Sequence, residues 1–243
     1  MGELIGGNMN KHDWEDAFVY GPVWRERASF FSMLHMTAWH SGFRHMMDNV
    51  RRFDECFPNA ATPVDDQPYM TLTDVGCGRG ATAHEFAMRG MGINVCDIAK
   101  NALSEVMAPP YHENFIHCPV WALRAELAAD YMFCAEVLQS VPEFLAIRSL
   151  VNLLIGARRG VYISVQTTLD DDSAPYGKEF NGYGNANINV KPAAYWNNML
   201  VCAMKEAERL NANHGIRMGY ELNKTFDAGK IWAAGVTVIQ RGD

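Results

Sequence analysis

Seven residues, Asp74-Val75-Gly76-Cys77-Gly78-Arg79-Gly80, set one acid and three alternating glycines between a β-like stretch, Tyr69 to Thr73, and a helix-like one, Ala81 to Arg89. A strand, a glycine turn and a helix in that order make a place where a backbone can cradle a ligand. Gly76 and Gly78 allow positive φ and let a ligand approach with no Cβ in the way. Gly80 lets the next helix pack close to the sheet. The amides and the helix N-terminus favour an anionic group. Asp74, at the carboxyl edge of its strand, can only accept hydrogen bonds when ionised, which suits an ammonium better than a pyrophosphate. The pattern predicts a zwitterionic ligand, with its carboxylate on the amides and its ammonium near Asp74.

A second acid extends the argument. Met91-Gly-Ile-Asn-Val-Cys-Asp97 reads as an apolar strand that ends in an acid seventeen positions after Gly80. In a doubly wound sheet, an acid at the end of the second strand grips a ribose diol. An amino-acid-like end together with a ribose describes S-adenosylmethionine. On these residues the chain resembles the class I SAM-dependent methyltransferase family: Asp74 to Gly80 matches its glycine-rich first motif, and Asp97 its ribose acid. Asn114 to Leu123 is similar to the third strand and adenine-side loop, and Ala129 to Glu143 to the fourth strand and its following helix.

The resemblance implies a cofactor site of Asp74, Gly76, Cys77, Gly78, Gly80, Asp97, Ile98, Val120, Trp121, Cys134 and Glu136, with S-adenosylmethionine as cofactor and S-adenosylhomocysteine as product. It assigns no catalytic residue and no metal. Two departures stand out. Gln139 and Ser140 replace the Glu-His pair that many members carry, which removes an imidazole from the neighbourhood of the reacting centre. Pro119-Val120-Trp121 occupies the loop where many members place an acid against the adenine amine, so backbone groups and apolar contact are expected there instead. The motifs are specific for the cofactor and silent on the acceptor.

The elements that must hold these residues alternate. Strand-like and helix-like segments fall at 69–75, 81–90, 92–97, 99–107, 114–117, 121–127, 131–135, 141–157 and 160–166. This alternation predicts an α/β fold, a doubly wound, Rossmann-like and mostly parallel sheet with helices on both faces. A helix over 195–211 and an antiparallel hairpin of 216–222 with 231–240 are expected to close it. Residues 1–68 form an N-terminal helical cap and linker, with one broken or two successive helices between Val23 and Phe57; 69–243 form the SAM-binding domain. Residues 167–191, polar and glycine-containing, are expected to be a lid or substrate loop.

Composition narrows the classes. The chain has 243 residues and is 49% apolar, ample for one large core. No stretch approaches the ~20 apolar residues of a membrane span, and the residues after Met1 lack the basic and long apolar parts of a signal peptide, so the expected location is cytoplasmic. A formal charge of −7 argues against a large nucleic-acid footprint. The six cysteines form no Cys-x-x-Cys pair, which leaves zinc and a disulfide framework unsupported; buried, inert thiols are expected.

Other local features lead to weaker readings. Ala108-Pro-Pro-Tyr111 is similar to the Asp/Asn-Pro-Pro-Tyr motif of amino-methylating DNA methyltransferases, but alanine cannot accept from an amine and the position follows the wrong strand, so a loop ending a helix is expected. His35, His40 and His45 recur every five positions, which does not put three ligands on one helical face. Trp121 and Tyr20 are candidates for an aromatic wall beside a sulfonium. Asp170 to Asp172 read as a solvated turn. Methyl transfer is an in-line displacement that rests on alignment and needs a base only for a protonated amine or a hydroxyl; Glu136 and the N-terminal histidines are the places to look for one. The expected activity is methyl transfer to a small or medium-sized acceptor. Alternatives are a nucleic-acid or nucleotide-base methyltransferase, a NAD-type oxidoreductase, disfavoured by Asp74 within the glycine run, and a non-catalytic SAM-binding regulatory protein.

Overall fold

Strands β1 (Thr71–Val75) and β4 (Ala129–Ala135) are almost continuously buried, as strands covered on both faces must be. They lie side by side at the centre of a seven-stranded sheet in a computed structural model that describes residues 39–60, 70–78, 80–98, 103, 109–168 and 189–240. The other strands are β2 (Gly92–Asp97), β3 (Phe115–His117), β5 (Ala157–Gln166), β6 (Met218–Asp227) and β7 (Ile231–Gln240), in the spatial order β3-β2-β1-β4-β5-β7-β6. β1 to β5 run parallel, and β7 is antiparallel to both β5 and β6. The order reverses between β1 and β4, which opens a crevice at their carboxyl ends. At the opposite end the pair is stapled: the Thr71 amide and hydroxyl both donate to Asp130 Oδ2 at 2.9 Å, and the Asp130 amide returns a bond to the Thr71 hydroxyl at 3.0 Å.

Period-two alternation sorts the core into two layers. Met132, Cys134, Val161 and Ile163 face α3 (Glu143–Gly156) and α4 (Ala193–Asn213), whose Leu150, Leu153, Leu154, Trp196 and Leu200 cover them. Tyr131, Phe133 and Tyr162 face the other way, toward α1 (Trp39–Cys56) and α2 (Ala81–Met88). There the rings form one cluster. Phe53 of α1 lies 4.9 Å from Phe86, 5.2 Å from Phe57 and 5.6 Å from Tyr131, centroid to centroid, mostly in edge-on arrangements that suit aromatic quadrupoles.

Two glycines seat the end of α1. A Cβ on Gly160 of β5 would come within 2.5 Å of the Phe57 ring, and one on Gly235 of β7 within 2.5 Å of Cys56 Sγ. Polar ties fix the same end at its rim. Arg89 holds Asp54 through one nitrogen at 2.8 and 3.0 Å, Lys224 reaches Glu55 at 2.7 Å, and Asn223 donates to the Cys56 carbonyl. Within the described residues, therefore, the N-terminal helix shares a core with the sheet. Residues 1–38 and the junction at 61–69 lie outside the described residues, as do the expected helix over 99–107, except Leu103, and positions 169–188 of the expected lid.

The doubly wound sheet, its C-terminal hairpin and its helical flanks are those expected. One element differs. Residues 121–127 form no helix but two short 3-10 turns, Val120–Ala122 and Ala125–Leu127, with Leu123 and Arg124 extended between them. Val120, Leu123 and Leu127 are buried at the i, i+3, i+7 spacing of a helical face, which is why the sequence suggests a helix, but the extended backbone of Leu123 and Arg124 breaks the run into two turns. Pro109–Asn114 is also a 3-10 turn; it buries Tyr111 in the core beside α2 and leads directly into β3. Among the described residues no helix is long and apolar enough to cross a membrane.

The glycine seat makes a stability prediction. Gly160→Ala should cost about 1–3 kcal/mol in urea unfolding through overpacking against Phe57. Adding Phe57→Leu should recover part of that loss, so that the double mutant is less destabilised than the two single changes added together.

Candidate functional site

The β1–α2 turn is built as its glycines require. Gly76, Gly78 and Gly80 have φ of 73°, 49° and 82°. Gly76 is doubly constrained, since a Cβ there would also run into the Val137 side chain from the turn after β4. Gly80 caps α2 with no side-chain bond of its own. The cap comes from below: Asp74, three-percent exposed between Val95 of β2 and Phe133 of β4, accepts from the Ala83 amide in the first turn of α2. Among the described residues its Oδ2 has no hydrogen-bond partner.

Burial, and then the charge of Asp97, push the Asp74 carboxyl up to about 7, against the pull of the Ala83 amide. No cation among the described residues offsets it. A buried carboxylate with one bare oxygen is costly, and an incoming ammonium would relieve it.

The loop amides are arranged differently from expectation. Gly76 and Cys77 both donate to the Cys96 carbonyl, at 2.9 and 3.0 Å, and Gly80 donates to the Cys77 carbonyl at 2.9 Å. The Gly78 amide donates to Asp97 Oδ2 at 3.0 Å. These four amides are thus engaged within the protein, and Arg79 lies outside the described residues. What the loop offers is room. A Cβ on Gly78 would meet nothing within 4 Å, so space opens above it, next to Asp97 and near Asp74.

The remaining expected site residues follow the sheet edge. Ile98 succeeds Asp97, and its carbonyl is paired with the His117 ring at 2.8 Å. Val120 and Trp121 are packed into the core against α3, four and seven percent exposed, with the Val120 carbonyl accepting from Asn152. Cys134 lies wholly buried near Asp74 and forms floor, not rim. Glu136 is exposed at the end of β4. Five of the six cysteines are buried and Cys202 alone is exposed. Burial raises the Cys77 and Cys134 thiols, while a shared hydrogen bond with Cys118, together with burial, holds Cys96 well above its usual range. Among the described residues no three His, Cys, Asp or Glu side chains converge as a metal site would need. Tyr20, His35 and Asp170 to Asp172 lie outside the described residues, and so do the side chains of His40 and His45.

Sequence reasoning missed one group. Asn49 of α1, three-percent exposed, donates to Glu136 Oε1 at 3.2 Å and accepts from the Tyr162 hydroxyl of β5 at 2.9 Å. The Arg52 guanidinium stands against the same hydroxyl. On the other side of Glu136, Gln139 donates to the Glu136 carbonyl, and the Asn189 amide is bonded to the Gln139 carbonyl. The one available signal was Asn49 itself, a polar residue on the stripe that also carries Phe53, Cys56 and Phe57.

No family model and no curated protein matches the sequence. Solved structures do match the fold. The Burkholderia thailandensis 1,6-didemethyltoxoflavin-N1-methyltransferase, bound to 1,6-didemethyltoxoflavin and S-adenosylhomocysteine, superposes with a TM-score of 0.55 at 15% identity, over 99% of this chain and 95% of its own. Human N-acetylserotonin methyltransferase in complex with SAM gives 0.54 at 16% identity, over 96% of this chain and 63% of its own. The small RNA methyltransferase HEN1 gives 0.50 at 14%, over 76% of this chain and 25% of its own. The fold is that of the class I SAM-dependent methyltransferases.

Asp74 ties stability to pH. Its carboxyl is raised in the folded protein above the ~4 of an unfolded chain, so its neutral form favours folding, and that contribution is lost as pH climbs through about 7. Relative to wild type, ligand-free Asp74→Asn should therefore gain stability between pH 4 and pH 7.5, by ~1.4 kcal/mol for each pH unit that separates the folded and unfolded titrations of Asp74. Urea unfolding of both proteins across that range measures it; parallel curves would show that Asp74 ionises normally.

Proposed function

We propose that the chain transfers a methyl group from S-adenosylmethionine to a small or medium-sized acceptor, leaving S-adenosylhomocysteine. The observation that carries this reading is the pairing of two acids close enough to feel each other's charge: Asp74, a buried carboxylate with an oxygen unpartnered among the described residues, and Asp97, an acid at the end of β2 that braces the open Gly78. An ammonium and a ribose diol on one ligand satisfy both acids. The shared fold with methyltransferases solved with S-adenosylmethionine or S-adenosylhomocysteine supports it. The formal charge of −7 favours a small acceptor over a nucleic acid.

In this reading Asp74 takes the ammonium, Gly76, Cys77, Gly78 and Gly80 shape the methionine end, Asp97 and Ile98 receive the ribose, and Val120 and Trp121 close the adenine side. Cys134 forms the floor, and Glu136, which the resemblance sets among the cofactor residues, stands on the acceptor side of the rim and makes no bond to the cofactor. The cofactor, when bound, supplies a sulfonium methyl with a neutral thioether as leaving group, so the site needs no acid to expel it. What the protein contributes is alignment and a dry wall. The engaged loop amides make that wall rigid before any ligand arrives, which reduces the ordering left for binding.

Calorimetric titration with S-adenosylmethionine, S-adenosylhomocysteine and NAD tests the reading. The first two should bind and NAD should not. Asp97→Ala should weaken them at least about tenfold, through the lost diol bonds and the lost brace on Gly78. Because an ammonium draws the Asp74 carboxyl down from about 7, binding at pH 6 should release a proton, and affinity should rise with pH until it levels above about 7. Titrations in two buffers of different ionisation enthalpy read the proton directly, and Asp74→Asn should abolish its release. Binding of NAD alone would overturn the proposal.

A further inference from the structure

Glu136 is the only residue other than glycine among those described with positive φ, 58°. A left-handed backbone at a glutamate is strained by of the order of 1 kcal/mol, and such positions persist only where the surroundings hold them. Here they do. The Glu136 amide donates to the Ser164 carbonyl at 2.9 Å, its own carbonyl accepts from Gln139 Nε2 at 2.9 Å, and its Oε1 accepts from Asn49 Nδ2. A glycine or asparagine would occupy that backbone with less strain, and neither would present a carboxylate in the same place.

The bonds behind the carboxylate all point one way. A carboxylate can only accept, so the Asn49 amide nitrogen must face it, which leaves the Asn49 oxygen for the Tyr162 hydroxyl. Burial pushes the Tyr162 phenol well up, so it stays a donor. Tyr162 therefore polarises Asn49, and Asn49 steadies Glu136, with every donor directed toward the carboxylate. This network draws Glu136 toward α1 and β5, away from Asp97 and β2. The next residue, Val137, packs on Gly76, so the backbone that carries Glu136 runs beside the glycine turn. It is exposed, and its Asn49 bond occupies one oxygen.

We propose that Glu136 is the acceptor-binding carboxylate of the methyl transfer, and that the acceptor is an amine whose N–H it takes. The inference rests on the reading of the chain as a SAM-dependent methyltransferase and adds the substrate class. The chemistry favours nitrogen over oxygen. A neutral amine already carries the attacking lone pair and only needs orientation, whereas a hydroxyl must first lose a proton that a carboxylate is a poor base to remove. In the step, the nitrogen lone pair forms the N–CH3 bond and the S–CH3 pair returns to sulfur. One N–H proton passes to the Glu136 carboxylate and from there to water. Asn49 and Tyr162 are positioning residues.

The test uses the full chain saturated with S-adenosylhomocysteine, probed by ligand-observed NMR with matched sets: benzylamine, benzyl alcohol and ethylbenzene, and aniline, phenol and toluene. Wild type should bind the amine of a set at least about fivefold more tightly than its hydroxyl and methyl partners. Glu136→Gln, which keeps size and backbone, should lose that preference while its Tm and its S-adenosylhomocysteine affinity stay unchanged. Asn49→Ala should weaken amine binding and leave cofactor affinity alone. Equal binding of all members, amine binding that survives Glu136→Gln, or no binding of any member at millimolar concentration would overturn the inference. So would a weakened cofactor in Glu136→Gln, which would make Glu136 a cofactor ligand, or a fall in its Tm, which would make it a strut for α1. Failure of wild type to bind S-adenosylhomocysteine at all would remove the underlying reading, and this inference with it.

Discussion

The carboxyl edge of the sheet is organised around a carboxylate that the fold buries without a counter-charge among the described residues. Asp74 stands between two apolar strands, caps α2 with one oxygen and leaves the other bare. To put it there, β1 must turn at once, which requires the left-handed Gly76 and forbids a side chain where Val137 arrives. The turn in turn uses its amides on Cys96 and Asp97. The unrelieved charge is an imbalance in the ligand-free protein, and a cationic ligand group is the simplest relief. A ligand that met this oxygen would couple its binding to folding.

A second constraint lies at the far end of α1. The helix reaches the sheet only because Gly160 and Gly235 leave room for Phe57 and Cys56, and its aromatic row then fixes how it rotates about its axis. That rotation puts Asn49 opposite Glu136 and Tyr162, one turn before Phe53. A packing feature of β5 and β7 therefore determines the direction of a polar side chain at the opposite edge. The turn below Asp74 and the turn that carries Glu136 meet where Val137 lies on Gly76.

The parallel core was legible because its strands are apolar runs bounded by turn residues. The expected 92–97 and 231–240 coincide with β2 and β7. Elsewhere backbone pairing outran the pattern. β5 begins at Ala157, paired with Ala129, although Arg158 and Arg159 face solvent and look like loop. β6 runs to Asp227 through a polar stretch, because an edge strand with one open side needs little apolar content. Of the candidate site, the sequence singles out Asp74 and Asp97 by their positions at the carboxyl ends of strands. The use of the loop amides was not legible, since hydrogen bonds to Cys96 and Asp97 depend on how β1 and β2 pair. Asn49 left a trace, a polar residue on an apolar stripe, but its partners lie 87 and 113 positions away in sequence.

The distribution of thiols also has a practical side. Cys202 is the one exposed cysteine of six and sits on the solvent side of α4, between the buried Leu200 and Ala203. The helix that carries it starts four residues after Asn189, the point where the chain is tied back to the turn that holds Glu136. A maleimide dye added to the unaltered protein would find a single attachment point there. The molecule comes with its own reporter position, on the helix that follows the Asn189 tie, and no cysteine has to be introduced or removed to use it.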